Sequence, residues 1–226
     1  SWKVDQKDRC MDMTASETPR LIVMDHPLVA HKLSILRNRD TANHHFRQSL
    51  HELSWLLAHP TFAALRVSDV DIETPLEPMT TQVMPTPYPC LVSILRAGNG
   101  LIDGFSQVCP EASVGHLGMY RDHDTMVPVS YYTSLPTDIV DRQVILGDPM
   151  LATGGSAIMA ATKLREMGVS DIVFSCLVAA PEGVAAFHGA HPDIPIVTAA
   201  LDRELNDKAY ILPGLGDAGD RIYGTD

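Results

Sequence analysis

The chain has 226 residues, 45% of them hydrophobic and 20% charged, a balance ordinary for a folded protein that excludes global disorder. Its 28 acidic and 17 basic side chains leave a formal net charge of -11 with no long basic run, which excludes nucleic acid and anionic membrane surfaces as expected partners. No apolar stretch approaches the roughly 18 residues that a membrane-spanning helix needs.

Residues 1–20 are polar and lack periodicity, so they are expected to form a mobile N-terminal arm ahead of one domain over 21–226. Ser1 to Arg9 hold no apolar run suited to a secretory signal, and the start reads as a trimmed end. Pro27 suits a first helical position, with Asp25 just outside. A longer helix is predicted from Thr41 to His59, because Phe46, Leu50, Leu53 and Leu57 fall on one helical face. Pro60 is expected to stop it. Pro75, Pro78, Pro85, Pro87 and Pro89 then make 69–89 an irregular or edge-strand β arm.

Beyond the arm, short apolar runs alternate with helical segments. The runs are Cys90–Leu95, Val114–Met119, Val144–Gly147, Ile172–Ala179 and Ile196–Ala200; the helices are Leu101–Val108, Ala157–Met167 and Glu182–His188. Such alternation predicts an α/β fold, a mostly parallel central sheet covered by helices on both faces. Ligands of these sheets bind beyond the carboxyl ends of the strands. Cys10, Cys90, Cys109 and Cys176 are far apart and form no C-x-x-C pair, which fits a reducing, cytoplasmic compartment. The ten histidines show no ligand spacing, so no side-chain metal site is expected.

One stretch carries most of the chemical information: Gly147, then Asp148, Pro149, Met150, Leu151, Ala152, Thr153, Gly154, Gly155 and Ser156, opening a helix at Ala157. Glycines let backbone N–H groups turn inward, Thr153 and Ser156 add hydroxyl donors, and a helix start adds positive potential. That combination suits a phosphate. A plain strand-to-helix turn with Ser156 as helix cap fits the same four letters Thr-Gly-Gly-Ser equally well. Asp148 tips the balance, since a carboxylate beside a phosphate cradle suits the hydroxyls of a sugar phosphate.

With Ile94-Leu95-Arg96-Ala97-Gly98, Gly118-Met119-Tyr120-Arg121-Asp122, Val178-Ala179-Ala180-Pro181-Glu182-Gly183 and Tyr210 to Asp220 added, the sequence resembles the type I phosphoribosyltransferases, and within them the uracil family. The resemblance runs from His26 to Thr225. It implies that fold with a small hood from the terminal segments. It also implies transfer of the 5-phosphoribosyl group from 5-phosphoribosyl 1-diphosphate (PRPP) to uracil, giving UMP. Asp148 to Ser156 would hold the ribose 5-phosphate, and Arg96 and Arg121 would face the diphosphate. Ile211, Gly216 and Ala218 would read uracil through the main chain. Asp217 would reach the base and the PRPP ribose or its hydrated metal. Asp148, Arg121 and Asp217 would be the catalytic set, with Mg²⁺ held by PRPP and water. The resemblance also implies a homodimer or larger assembly, a nucleotide effector such as GTP, and a loop over 121–128 that closes the site. The alternative is a non-catalytic sensor of uracil or nucleotide on the same fold. Ser93, Gly147 and the Arg203-Glu204 pair depart from the pattern of many phosphoribosyltransferases, Gly147 in the manner of the uracil enzymes.

Overall fold

The computed structural model describes residues 21–121 and 128–225, without the side chains of 120, 121 and 128. The expected N-terminal arm and most of the expected closing loop lie outside the described residues. The chain runs β1 (Leu21–Val23), α1 (Pro27–Arg37), α2 (Asn43–Thr61), then β2 (Ser68–Glu73) and β3 (Pro78–Val83). It continues with β4 (Cys90–Leu95), α3 (Gly98–Val108), β5 (Ser113–Arg121), β6 (Pro128–Ser134), β7 (Val144–Gly147) and β8 (Met150–Leu151). The last third is α4 (Gly155–Glu166), β9 (Ile172–Ala179), α5 (Pro181–Ala190), β10 (Ile196–Leu201), β11 (Glu204–Leu205), β12 (Ile211–Leu212) and α6 (Ala218–Tyr223).

The central sheet has the order β1-β10-β9-β7-β4-β5-β6, with β8 added against β9. Its pairings are parallel except that of β5 with the edge strand β6. Alternate side chains of β9 serve opposite faces, as the strand period requires. Val173 and Leu177 join Leu91, Ile145 and the buried stripes of α1, α2 and α3. Ile172, Phe174 and Cys176 instead join Val92, Leu146, the alanines of α4 and Phe187 of α5. Phe46, Leu50, Leu53 and Leu57 are all buried, each contributing about 1.5–3 kcal/mol of apolar burial.

The helix boundaries shift in one consistent way. α3, α4 and α5 begin two to three residues, or one residue, ahead of the expected starts, on Gly98, Gly155 and Pro181. A first turn needs no apolar anchor, so hydrophobic periodicity does not register it. α1 starts at Pro27 with Asp25 outside it, and its cap is His26, whose Nδ1 accepts the Leu28 N–H at 3.1 Å. Pro60 does not stop α2, which runs on through Thr61 with Pro60 in its last turn. The proline removes one donor there, yet the Phe62 N–H still bonds the Ala58 carbonyl at 2.8 Å and closes the turn. The proline-rich arm is an antiparallel hairpin, β2 with β3, forming a sheet of its own. β8, the β11–β12 pair and α6 had no counterpart in the sequence pattern. No described helix is long and apolar enough to cross a membrane.

Candidate active site

The carboxyl ends of β4, β5 and β7 lie side by side in register. Leu95 pairs Gly118, and Ser93 pairs Gly147. Each strand end opens into a candidate binding segment, the arrangement that parallel sheets use for ligands.

After β7 the chain turns at Asp148-Pro149 and comes back into register with β9 through β8. The Pro149 carbonyl accepts N–H bonds from Leu177 at 2.9 Å and Val178 at 3.1 Å, and the Leu151 carbonyl accepts from Ala180 at 2.9 Å. The loop is therefore fastened along its first half. Its second half turns at Gly154, whose φ of +83° suits glycine, and this residue is the N-cap of α4 in place of Ser156. Thr153 and Ser156 are exposed at its rim. Gly183, in the first turn of α5, lies directly behind: a Cβ there would stand 2.2 Å from the Ala152 carbonyl oxygen. At Gly147, where a second acid is common, a Cβ would meet Ile102 Cδ1 at 2.8 Å, so any side chain there requires Ile102 to shift.

Asp148 stands at the head of this cradle. Its N–H bonds the Ser175 carbonyl at 3.2 Å, and its Oδ1 faces the Met150 N–H at 3.4 Å. Surrounding protein strips water from the carboxyl and, with the charge of Asp217 adding to the effect, pushes its pKa up to about 7. The Met150 N–H opposes that rise only partly. The two carboxylates thus share one electrostatic environment although they are 69 positions apart in sequence.

The turn after β4 carries Arg96, which is exposed. Its guanidinium lies 5.5 Å from the Tyr223 ring centroid, and the Tyr223 hydroxyl donates to the Arg96 carbonyl at 2.9 Å. Ser93 beneath the turn is buried and donates to Asn99 Oδ1 at 2.7 Å, so this departure from proline holds α3 to the strand. Arg121 ends β5 on the same sheet edge. Its side chain lies outside the described residues.

The C-terminal segment forms the third wall. In the β11–β12 pair the carbonyls of Tyr210 and Leu212 accept from the N–H groups of Asn206 and Arg203, both at 2.9 Å. The intervening Ile211 carbonyl points the other way by strand alternation. Gly214 (φ +61°) and Gly216 (φ +80°) then turn the chain toward Asp217. Asp217 caps α6, its Oδ1 accepting the Asp220 N–H at 3.0 Å, while Ala218 is buried in the first turn. Glu182 holds this wall to α5 by accepting the Leu205 N–H at 3.0 Å, a bond that lowers its pKa. Arg203 and Glu204 pair with each other at the exposed surface.

Three contributors escaped the sequence reading. Asp202, directly after β10, is buried and forms a two-pronged bond to Arg37 at 2.6 and 2.8 Å. Tyr223 supports Arg96, and Arg221 ties α6 to the Leu36 and Asn38 carbonyls. A carboxylate at a strand's carboxyl end was the available signal for Asp202. The other two are visible only once the chain is folded. Among the described residues no group of three His, Cys, Asp or Glu side chains could hold a metal ion.

A Gly-rich loop after one strand, an arginine turn after its neighbour and a peptide-rich C-terminal segment linked to both have the character of a phosphoribosyltransferase site. The fold agrees: an adenine phosphoribosyl transferase from Trypanosoma brucei, solved with AMP, pyrophosphate and ribose-5-phosphate, superposes with a TM-score of 0.56 at 12% identity, covering 84% of this chain and 87% of that one. The AQ2163 protein of Aquifex aeolicus superposes with a TM-score of 0.83 at 33% identity, over 90% of this chain and 97% of that one. The family model described as uracil phosphoribosyltransferase matches residues 23–225. Uracil phosphoribosyltransferases of Acidovorax sp. (strain JS42) and Lactiplantibacillus plantarum are 55% and 52% identical, each over 90% of this chain and 97% of their own length. The chain belongs to the uracil phosphoribosyltransferase family of enzymes.

Proposed function

We propose that this chain transfers the 5-phosphoribosyl group of PRPP to uracil, releasing UMP and diphosphate. The observation that carries the reading is the convergence of the Asp148–Ser156 cradle, the Arg96 turn and the Ile211–Ala218 wall on one sheet edge. In this reading the cradle takes the 5-phosphate through N–H groups, Thr153 and Ser156, and Asp148 accepts from the ribose hydroxyls. Arg96 and Arg121 face the departing diphosphate. The Ile211 carbonyl accepts from a ring N–H, and the N–H groups of Gly216 and Ala218 donate to the uracil carbonyls. Asp217 faces the ribose side. Uracil N1 bonds the anomeric carbon as the carbon–oxygen bond to diphosphate breaks, and the N1 proton leaves. The work is positioning and charge stabilisation, with no covalent enzyme intermediate.

Mg²⁺ fits this donor set. The charge of Asp217 adds to the cost of ionising Asp148, which a cation relieves, and since no group of three possible ligand side chains occurs among the described residues the ion would keep mostly PRPP oxygens and water as ligands. Bound there, it supplies charge neutralisation of the leaving diphosphate. A cytoplasmic homo-oligomer responsive to a nucleotide such as GTP completes the reading.

Incubation of the chain with uracil, PRPP and Mg²⁺ is expected to give UMP and diphosphate in equal amounts. Absence of product overturns the reading; binding of both substrates without turnover would identify a sensor instead.

A further inference from the structure

The side chains of Arg37 and Asp202 bond neither the cradle nor the Arg96 turn; the Asp202 N–H continues the β10–β9 ladder to the Ala179 carbonyl at 2.8 Å, but its carboxylate serves no strand pairing. The Asp202 side chain is 5% exposed, and Arg37 meets both its oxygens. A buried carboxylate is tolerated only with such partners, so the pair is firmly fixed. What it holds is a single residue. The Gly214 N–H donates to Asp202 Oδ2 at 2.9 Å, and the Gly214 carbonyl accepts from Arg37 Nη1 at 2.8 Å. Gly214 has a left-handed backbone, and a Cβ there would lie 2.2 Å from the Ile211 carbonyl oxygen. Ile211 and Leu215 are buried on either side, but at Gly214 itself the turn has no side chain to set it. Arg37 ends α1 and Asp202 follows β10, so the turn is gripped from two elements of the main sheet-and-helix body. Arg221 reinforces the same junction by bonding the Leu36, Asn38 and Leu215 carbonyls.

We propose that Arg37 and Asp202 are positioning residues for base selection. They clamp Gly214 by both its polar groups, so that the Ile211 carbonyl and the Gly216 N–H stand at the spacing a flat ring of alternating acceptors and donors requires. This rests on the reading that Ile211–Ala218 receives uracil. Neither residue meets PRPP, so its loss is felt by the base and not by the sugar phosphate.

Asp202→Asn keeps the side-chain shape and can still accept the Gly214 N–H, but it turns an amide donor toward Arg37. The expected result is a KM for uracil raised about tenfold and a KM for PRPP changed by less than about twofold. Arg37→Lys, which loses the planar fork, is expected to move the same constant. A uracil KM that stays put, or a parallel change in both KM values, overturns the proposal. So does loss of the cooperative unfolding transition in both variants, since the pair would then serve the fold alone. Gly216→Ala separates the inference from the reading beneath it. A raised uracil KM in Gly216→Ala with none in Asp202→Asn removes only the clamp, whereas no change in either removes uracil from this wall.

Discussion

The Asp148–Ser156 loop and the Ile211–Ala218 segment, proposed as phosphate cradle and base wall, are built by opposite means. The cradle is continuous in sequence, and its polar groups are largely peptide groups, fastened by the bonds of Pro149 and Leu151 to β9 and the start of α5. The wall is short and weakly paired, and it depends on side chains sent from distant places: Arg37 from α1, Glu182 from α5 and Asp202 from the end of β10. In the proposed roles, a phosphate is the same in every substrate of this chemistry, so a rigid backbone nest suffices. A base must be told apart from other bases, and a wall held by separate side chains sets that geometry without altering the nest.

The contrast is broken most severely behind the cradle. Gly183→Val would push side-chain atoms into the Ala152 and Leu151 carbonyls, and the displaced loop is expected to cost about 100-fold in kcat/KM for PRPP. Steady-state kinetics with uracil saturating measures it. Asp148→Asn, which removes a charged acceptor, is expected to lower the same constant about 10- to 100-fold.

The pH profile of Asp148→Asn sharpens the assignment. With its pKa near 7, Asp148 ionises late, so activity in the wild type rises with pH through about 7 relative to the variant. Stability moves the other way. Between the ordinary carboxylate range and about 7 the folded chain holds a proton that the unfolded chain has lost, so stability falls as pH rises through that window. Asparagine mimics the protonated form, and the thermal midpoint of the variant is expected to gain on the wild type over the same interval. Tyr223→Phe is the mildest test. It removes the bond to the Arg96 carbonyl while leaving the ring beneath the guanidinium, and should raise the PRPP KM about two- to fivefold with the uracil KM unchanged.

The same division explains what was legible from residues alone. β4, β7 and β9 have their expected ends, because fully buried parallel strands read as unbroken apolar runs. The residues of the proposed cradle, Asp148 to Ser156, are neighbours in sequence and so could be named together. The wall was not legible in the same way. Ile211, Gly216 and Ala218 were named through resemblance, but Arg37 and Asp202, which hold the Gly214 turn between them, are 165 positions apart, and only the place of Asp202 just past an apolar strand marks either in the sequence. α6 was missed because six residues are too few for a hydrophobic period. β8 was missed because two residues beside a proline read as loop.

Contacts that complete the cleft also set when it can exist. The bond from Tyr223 to Arg96 spans 127 positions, that from Arg37 to Gly214 spans 177, and that from Arg221 to Leu36 spans 185. Contacts so distant bear the chain-closure entropy of everything between them before they give any return. The Asp148–Ser156 loop can close once α5 has formed, whereas the contacts of α6 join residues from opposite ends of the described chain. Truncation within α6 would therefore leave the sheet pairings in place while removing the Tyr223 and Arg221 bonds to the Arg96 turn and to the end of α1.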